Sequence, residues 1–334
     1  MCNYKGLTKI LGFKRSVFAD EKNKSDYIVN TILDNLKKSN SCKKHFLNWL
    51  RCNNNVIIYR VKCIYFVITL LFFLPVMGNA SSLIDLKTPI VQGSLVYGRT
   101  QPDVEVYYGD TQLVKDGDNQ FVFALPQDAE DNLTLAVIQN KKHHTFSSPV
   151  QKRRWKEEVV NGLPPQKVVL SPADGQRVAL ENQLLRSGRT KTFYEKLPIC
   201  FVRPISKKAR ISSEFGARRI LNGIKAAGHS GTDYAMPIGT PLFAPAEGIV
   251  KVVHPDMFYS GKTVLIDHGY GIFSSYSHMN DIVVQEGEYV VQGQQIGAVG
   301  TTGRSTGPHL HFTMTWFGVR VDPEFVLTHY ACDK

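Results

Sequence analysis

Apolar and polar positions alternate in three different ways along this chain, and each way predicts a different kind of element. The first is an unbroken apolar run, Cys63 to Met77 (CIYFVITLLFFLPVM), with Arg60 and Lys62 before it and Gly78, Asn79, Ala80 and Ser81 after it. The second is a series of short extended segments rich in Val, Tyr, Phe and Thr, namely IVQGSLVYG, VEVYYG, FVFALP and LTLAVIQ between Ile90 and Gln139, broken by polar turns such as Lys115-Asp116-Gly117-Asp118. Such segments predict a small antiparallel β module over 85–147. The third begins at Ile211 and runs almost to the end: GIVKVVH, KTVLIDHG, GIFSSYSHM, YVVQGQQIGAVG and LHFTMTWFG, punctuated by Gly and Pro and without a long helical period. It predicts a second, mainly β domain over 205–330.

Between the two β regions, residues 148–204 read as a linker. They hold the charged run QKRRWKEE (Gln151–Glu158), the turn signals Asn161-Gly162 and Pro164-Pro165, and one helical candidate, Asp174 to Arg186, with Val178, Leu180, Leu184 and Leu185 as an imperfect apolar stripe. The charged run reads as a solvated face, with Trp155 as a residue that could pack the two domains together. The expected fold is therefore mainly β: a C-terminal antiparallel β-sheet domain preceded by a small β module and a linker with one short helix.

The formal net charge of +11 changes the picture only at the N-terminus. Residues 1–80 carry 13 Lys/Arg against 4 Asp/Glu, and the remaining 254 residues carry 27 against 25. A nearly balanced remainder lacks the excess that binds phosphate backbones, which argues against a nucleic-acid partner. A basic stretch ahead of an apolar run is what insertion from the cytoplasmic side favours. The 15-residue run is short for a bilayer span, which needs about 20 residues. Its small flanking residues suit a secretory signal over 56–80, cut after Ala80. The residues ahead of it exceed an ordinary n-region. Either translation starts between Val56 and Val61, or residues 1–55 are a basic cytoplasmic extension and residues 60–80 an uncleaved inner-membrane anchor. Both readings place the remainder outside the cytoplasm, in the periplasm or cell envelope. Of the six cysteines only Cys200 and Cys332 fall in that exported part. They flank one domain and could bridge its ends or remain two free thiols; neither has a Cys-x-x-Cys partner.

Candidate chemistry gathers in the second β domain. Half of the ten histidines lie in or near three short segments: Gly228-His229-Ser230-Gly231-Thr232-Asp233-Tyr234, Ser275-Tyr276-Ser277-His278, and Gly307-Pro308-His309-Leu310-His311-Phe312. Residues two apart in a strand face one side, so His309 and His311 point into one groove with Leu310 in the core. His229 and Asp233 are four apart across a glycine-containing loop, close enough to grip one ion from a single segment. Histidine and aspartate are usual ligands of catalytic zinc, which keeps a fourth position for water. One such histidine alone is most often structural. The set together is not explained that way. His268, in Asp267-His268-Gly269, reads as a turn residue, and Tyr276 as a core residue.

GHSGTD, YSH and GPHLHF resemble the His-x-x-x-Asp, Tyr-x-His and His-x-His signatures of the M23 (lysostaphin-like) metallopeptidases, in order and separation. SSEFGARR (Ser212–Arg219) is similar to the family's opening motif, and GTPLFAPAEGIV, HGYGIFSSYSH and IGAVGTTGRSTGPHLHF to its strands and loops. The resemblance covers roughly 205–325; more weakly, residues 90–190 are similar to the β module and linker that precede the domain in some periplasmic members. It implies one zinc ion on His229, Asp233 and His311, with His278 and His309 as catalytic histidines off the metal. The implied activity is hydrolysis of peptide cross-links in bacterial peptidoglycan by zinc-activated water, with stem peptides as substrate and a DD-endopeptidase favoured over a glycyl-glycine endopeptidase. Relatives that have lost ligands activate other wall hydrolases, a non-catalytic alternative that the complete ligand set here argues against; such pairs leave room for a regulatory protein partner. A basic membrane-associated scaffold would leave the histidine cluster unexplained.

Overall fold

The computed structural model describes residues 83–332 apart from 164, 166, 167 and 191. The apolar run at 63–77, the basic extension and the expected cleavage after Ala80 lie outside the described residues. Among the described residues, no helix is long and apolar enough to cross a membrane.

The fold is mainly β, with two helices among the described residues. The front module pairs β1 (Ile84–Leu86), β2 (Leu95–Thr100) and β5 (Gln120–Ala124) in one antiparallel sheet, and β3 (Val104–Tyr108), β4 (Thr111–Gln112), β6 (Asn132–Gln139) and β7 (Lys142–Pro149) in a second. Strand β6 shows why: Leu133, Leu135 and Val137 are buried while Asn132, Thr134 and Ala136 face out, a period of two that makes one apolar face. The turn into β7 is the residue pair Asn140-Lys141, both at positive φ, the backbone that a two-residue hairpin requires.

The second region is built on a ten-stranded sheet. Its main path runs β17 (Tyr289–Val290), β14 (Gly248–Met257), β15 (Gly261–Asp267), β16 (Ile272–Ile282), β19 (His309–Trp316), β12 (Thr232–Ala235) and β9 (Arg210–Ser213). Strands β13 (Pro241–Phe243), β18 (Gln295–Val299) and β20 (Val319–Val321) pair off this path. A smaller sheet lies beside it: β11 (Ile224–Lys225), β10 (Arg218–Leu221) and β8 (Glu157–Val160), with β8 running parallel to β10. Strand β8 belongs to the stretch that reads as linker in the sequence, and the charged run leading into it keeps Gln151, Lys152, Arg154, Lys156 and Glu157 exposed while Arg153, Trp155 and Glu158 are half-buried. Arg153 pairs with Asp322 at 2.7 Å, Lys156 with Glu214 at 2.5 Å, and Trp155 lies edge-on to Phe215 with ring centroids 5.8 Å apart. Gly216, at φ +79°, lets the indole lie directly on the backbone, since a Cβ there would fall 2.3 Å from the ring.

Helix α1 (Pro172–Gly188) starts where Ser171 accepts a hydrogen bond from the Asp174 amide and Pro172 presets the first turn. Its inward face is the series Asp174, Val178, Glu181, Leu185, Gly188, while Leu180 and Leu184 of the expected stripe are exposed. The helix docks by polar contacts more than by area: Arg177 reaches Asp256 at 3.0 Å, Glu181 accepts from the Phe258 amide at 2.8 Å, and Leu185 alone joins Val252, Met257, Leu265 and Phe273.

One hydrophobic core runs through both β regions. It joins Leu95, Phe121, Phe123 and Leu135 of the module to Tyr234, Leu310, Phe312 and Met314 of the large sheet. Tyr330 seals the junction, its ring tilted against Tyr97 with centroids 4.5 Å apart and its hydroxyl donating to the Leu95 carbonyl at 2.8 Å. The structure also settles the two cysteines: Cys200 and Cys332 are bridged across 132 residues, beside a Phe201–Ala331 backbone bridge.

Helix α2 (Pro323–His329) carries Glu324, whose carboxylate takes both Arg203 Nη atoms (2.9 and 2.7 Å) and the Tyr234 hydroxyl. Removing it strands a half-buried guanidinium and a buried phenol. Hydrogen bonds to charged groups are worth about 1.5–3 kcal/mol each, so Glu324→Ala is expected to lower stability by roughly 2–4 kcal/mol in urea denaturation; a loss under about 1 kcal/mol would contradict the assignment.

Candidate metal centre

The site is made by register. Strand β19 alternates Leu310, Phe312 and Met314 into the core with His309 and His311 on the other face. It pairs antiparallel with β12 so that Asp233 stands opposite His311 and Ala235 opposite His309, while Tyr234 goes to the core. Outside β12, Ser213 of β9 stands opposite Asp233, and Ser277 of β16 opposite His311. His229 comes from the loop before β12, tied both ways to the opening motif: its amide donates to the Ala217 carbonyl at 2.8 Å and its carbonyl accepts from the Gly216 amide at 2.9 Å.

Three donor atoms converge. His229 Nε2 lies 3.1 Å from Asp233 Oδ1 and 3.0 Å from His311 Nδ1, and His311 Nδ1 lies 2.7 Å from Asp233 Oδ1. The far nitrogens are occupied: His229 Nδ1 donates to the Glu214 carbonyl at 2.9 Å, and His311 Nε2 meets Ser230 Oγ at 3.2 Å. A carbonyl only accepts, so His229 carries its proton on Nδ1 and turns the Nε2 lone pair inward. Two imidazole nitrogens and one carboxylate oxygen within reach of one another, each anchored from behind, fit a metal ion, and this donor set suits zinc.

His278 and His309 flank this group without joining it. Their rings are 4.6 Å apart, and His309 Nε2 is 3.8 Å from Asp233 Oδ1. Both are anchored through Nδ1, His278 on the Thr302 carbonyl at 2.7 Å and His309 on the Gly307 carbonyl at 2.8 Å, so each presents Nε2. Simple alternation along β16 would send His278 to the core face with Tyr276, two residues earlier. The structure turns it back by one residue of left-handed backbone: His278 has φ +62°, and the register breaks just beyond it, between Met279 and Asp281. A non-glycine residue at positive φ inside a strand stores strain, and here the strain carries the imidazole to the groove.

Burial decides the protonation states. It pushes His278 down to about 3, helped by His309 and His311 nearby. It pushes His311 down to about 4 against the pull of Asp233. Burial alone would raise Asp233, but His311 and His229 beside it hold the carboxyl well below the usual range. Arg219 adds a further positive charge, donating to Asp233 Oδ2 at 2.9 Å. The candidate donor set therefore includes an ionised Asp233 and a neutral His311, the forms that bind metal. His268 stands apart, buried, with Nδ1 on the Glu247 carbonyl and Nε2 on Ser274 Oγ at 2.7 Å, and burial takes it to about 4. Tyr276 is a core residue donating to the Phe243 carbonyl.

Sequence reasoning passed over Ser213, Arg219 and Glu158. Ser213 and Arg219 lie in SSEFGARR, a motif with a visible signal but no visible role. Glu158 lies in a charged run and has no signal of its own.

Residues 227–323 match the profile of peptidase family M23. The peptidoglycan DD-endopeptidase ShyA of Vibrio cholerae is 46% identical over 114 residues, 33% of this chain and 26% of that protein. The DD-carboxypeptidase/endopeptidase Mpg of Neisseria meningitidis is 43% identical over 116 residues, 34% of this chain and 26% of that protein. The aligned region spans about a quarter of the length of these relatives. The crystal structure of a Pseudomonas aeruginosa protein assigned to peptidase M23 superposes with a TM-score of 0.57 at 27% identity, covering 73% of this chain and 97% of that one.

The depressed imidazoles set an acid limit. An unfolded histidine takes up a proton near pH 6.5, whereas folded His278 and His311 do so only near 3 and 4. Between those limits the unfolded state binds more protons, so stability rises with pH. In chelator, the melting temperature is expected to fall steadily from pH 7 to pH 4; a flat profile would show that these rings are not buried in neutral form.

Proposed function

We propose, from the match of residues 227–323 to the profile of peptidase family M23, that this chain is a zinc-dependent endopeptidase that hydrolyses the peptide cross-links of peptidoglycan. The observation that carries the proposal is the division of labour among five side chains: three donor atoms converge, while two further imidazoles stand beside them with Nε2 free. The relatives named as DD-endopeptidases favour bonds between D-amino acids in stem peptides. The basic flank and apolar run at 60–77, and the Cys200–Cys332 disulfide, support action outside the cytoplasm, where disulfides persist.

The residues supply the following chemistry. His229 Nε2, Asp233 Oδ1 and His311 Nδ1 would hold one zinc ion, which when bound would supply Lewis acidity and lower the pKa of water at the site towards ~7. His278 and His309, each fixed at Nδ1, divide two tasks at Nε2. One takes the proton of the attacking water at its unprotonated Nε2, and the other donates to the oxyanion of the tetrahedral intermediate as an imidazolium, its Nε2 proton taken up from solvent. The Thr302 and Gly307 carbonyls hold both rings in the tautomer that leaves Nε2 to the substrate.

Incubated with dimeric muropeptides, the purified chain is expected to yield monomers, and a chelator is expected to stop it. Intact dimers with zinc bound would overturn the endopeptidase reading. His311→Ala is expected to lose both zinc and turnover, since two remaining ligands hold the ion poorly; full zinc occupancy by metal analysis would remove His311 from the centre. His309→Ala is expected to keep zinc and lose about 10²–10⁴-fold in turnover, and an active variant would remove it from the mechanism.

A further inference from the structure

Behind His229 lies a chain of polar contacts that begins outside the matched domain. Glu158 of β8 stands opposite Arg219 in the parallel pairing with β10. Its carboxylate accepts from Ser213 Oγ at 2.6 Å, and Ser213 Oγ is in turn 2.9 Å from His229 Nδ1. Arg219 Nη2 donates to both Ser213 Oγ and Asp233 Oδ2 at 2.9 Å, and its Nε lies 3.8 Å from Glu158 Oε2 without a hydrogen bond of its own. The side chains of Glu158 and Arg219 are only 23% and 20% exposed, so solvent screens this charge pair weakly.

A hydroxyl has one proton and two acceptor sites. Here the proton goes to the carboxylate, the one charged acceptor and the shortest contact. Towards Arg219 and His229, Ser213 can then only accept. It therefore supports the Nδ1–H tautomer that the Glu214 carbonyl also demands, and the ring is clamped between two acceptors with Nε2 facing Asp233 and His311. Without Glu158 the serine proton can turn towards the imidazole and favour the other tautomer. The Arg219 charge would then act on the Asp233 carboxylate alone, through Oδ2, and weaken its Oδ1 as a donor.

We propose that Glu158 is a positioning residue of the metal centre, acting through Ser213 to hold His229 as a ligand and sharing Arg219 with Asp233. Part of the centre is thus supplied by the segment between the front module and the domain. That segment is itself pinned by Trp155 on Phe215, by Lys156 on Glu214, and by the Arg218 amide on the Lys156 carbonyl at 2.7 Å.

The inference rests on zinc binding at His229, Asp233 and His311, so the full-length wild type is measured first. If it takes no zinc, that reading fails and this one falls with it. With zinc bound, dissociation constants by chelator competition are compared for wild type, Glu158→Ala, Glu158→Gln, Ser213→Ala and the double alanine variant, and melting in chelator is followed separately. Loss of an outer partner of a metal-bound histidine typically weakens binding about 10- to 100-fold. Glu158→Ala is expected to show a loss in that range, Glu158→Gln to fall between it and wild type, and Glu158→Ala to add less than its full effect once Ser213 is alanine, the remainder coming through Arg219. Wild-type zinc affinity in Glu158→Ala, or full additivity with Ser213→Ala, would make Glu158 a strand anchor and overturn the proposal. Should Glu158→Ala fail to fold, Glu158→Gln decides: weaker zinc binding with unchanged melting in chelator supports the proposal, and wild-type affinity overturns it.

Discussion

The antiparallel register of β12 against β19 is the constraint on which the rest depends. It sets Asp233 opposite His311 on one face and Tyr234 opposite Leu310 on the other. Because side chains alternate with a period of two, a slip of one residue would bury the carboxylate and imidazole in the core and push a tyrosine and a leucine into the groove. The register is held from the apolar side. Leu310, Phe312, Met314 and Tyr234 are fully buried, and the Tyr234 hydroxyl is fixed by Glu324, which is itself gripped by Arg203. The polar face can therefore gather buried charge because the other face pays in apolar area for the arrangement.

Everything around that pair serves to deliver lone pairs to one place. The loop bearing His229 is laced to Gly216 and Ala217, the β18–β19 loop supplies the Thr302 and Gly307 carbonyls, and left-handed backbone at His278 turns its ring out of the alternation. His229, His278 and His309 are thereby fixed in tautomer as well as in position, and burial keeps His278 and His311 neutral at ordinary pH. The front module is not a separate bead on this scaffold. It shares the core, contributes Gln127 to the Gly216 carbonyl at 2.8 Å, and leads into a segment whose charged residues close on the opening motif.

The sequence by itself determined what short-range periodicity encodes. Alternation in LTLAVIQ and HLHFTMTW dictates strands with one apolar face, which makes the fold mainly β and puts His309 and His311 on one side; the helical candidate Asp174 to Arg186 falls within the helix Pro172–Gly188. The four-residue spacing of His229 and Asp233 announces a shared ligand loop. Tertiary structure alone decided the rest, because those features depend on partners far away in the chain. Local pattern cannot say that Cys200 meets Cys332, that Leu180 and Leu184 face solvent while Glu181 faces inward, or that His278 leaves the alternation of its strand. Nor can it tell a solvated charge from a docked one. Glu158 in a run of Lys, Arg and Glu looks like surface, and only the parallel pairing of β8 with β10 brings its carboxylate to Ser213, one hydroxyl away from His229.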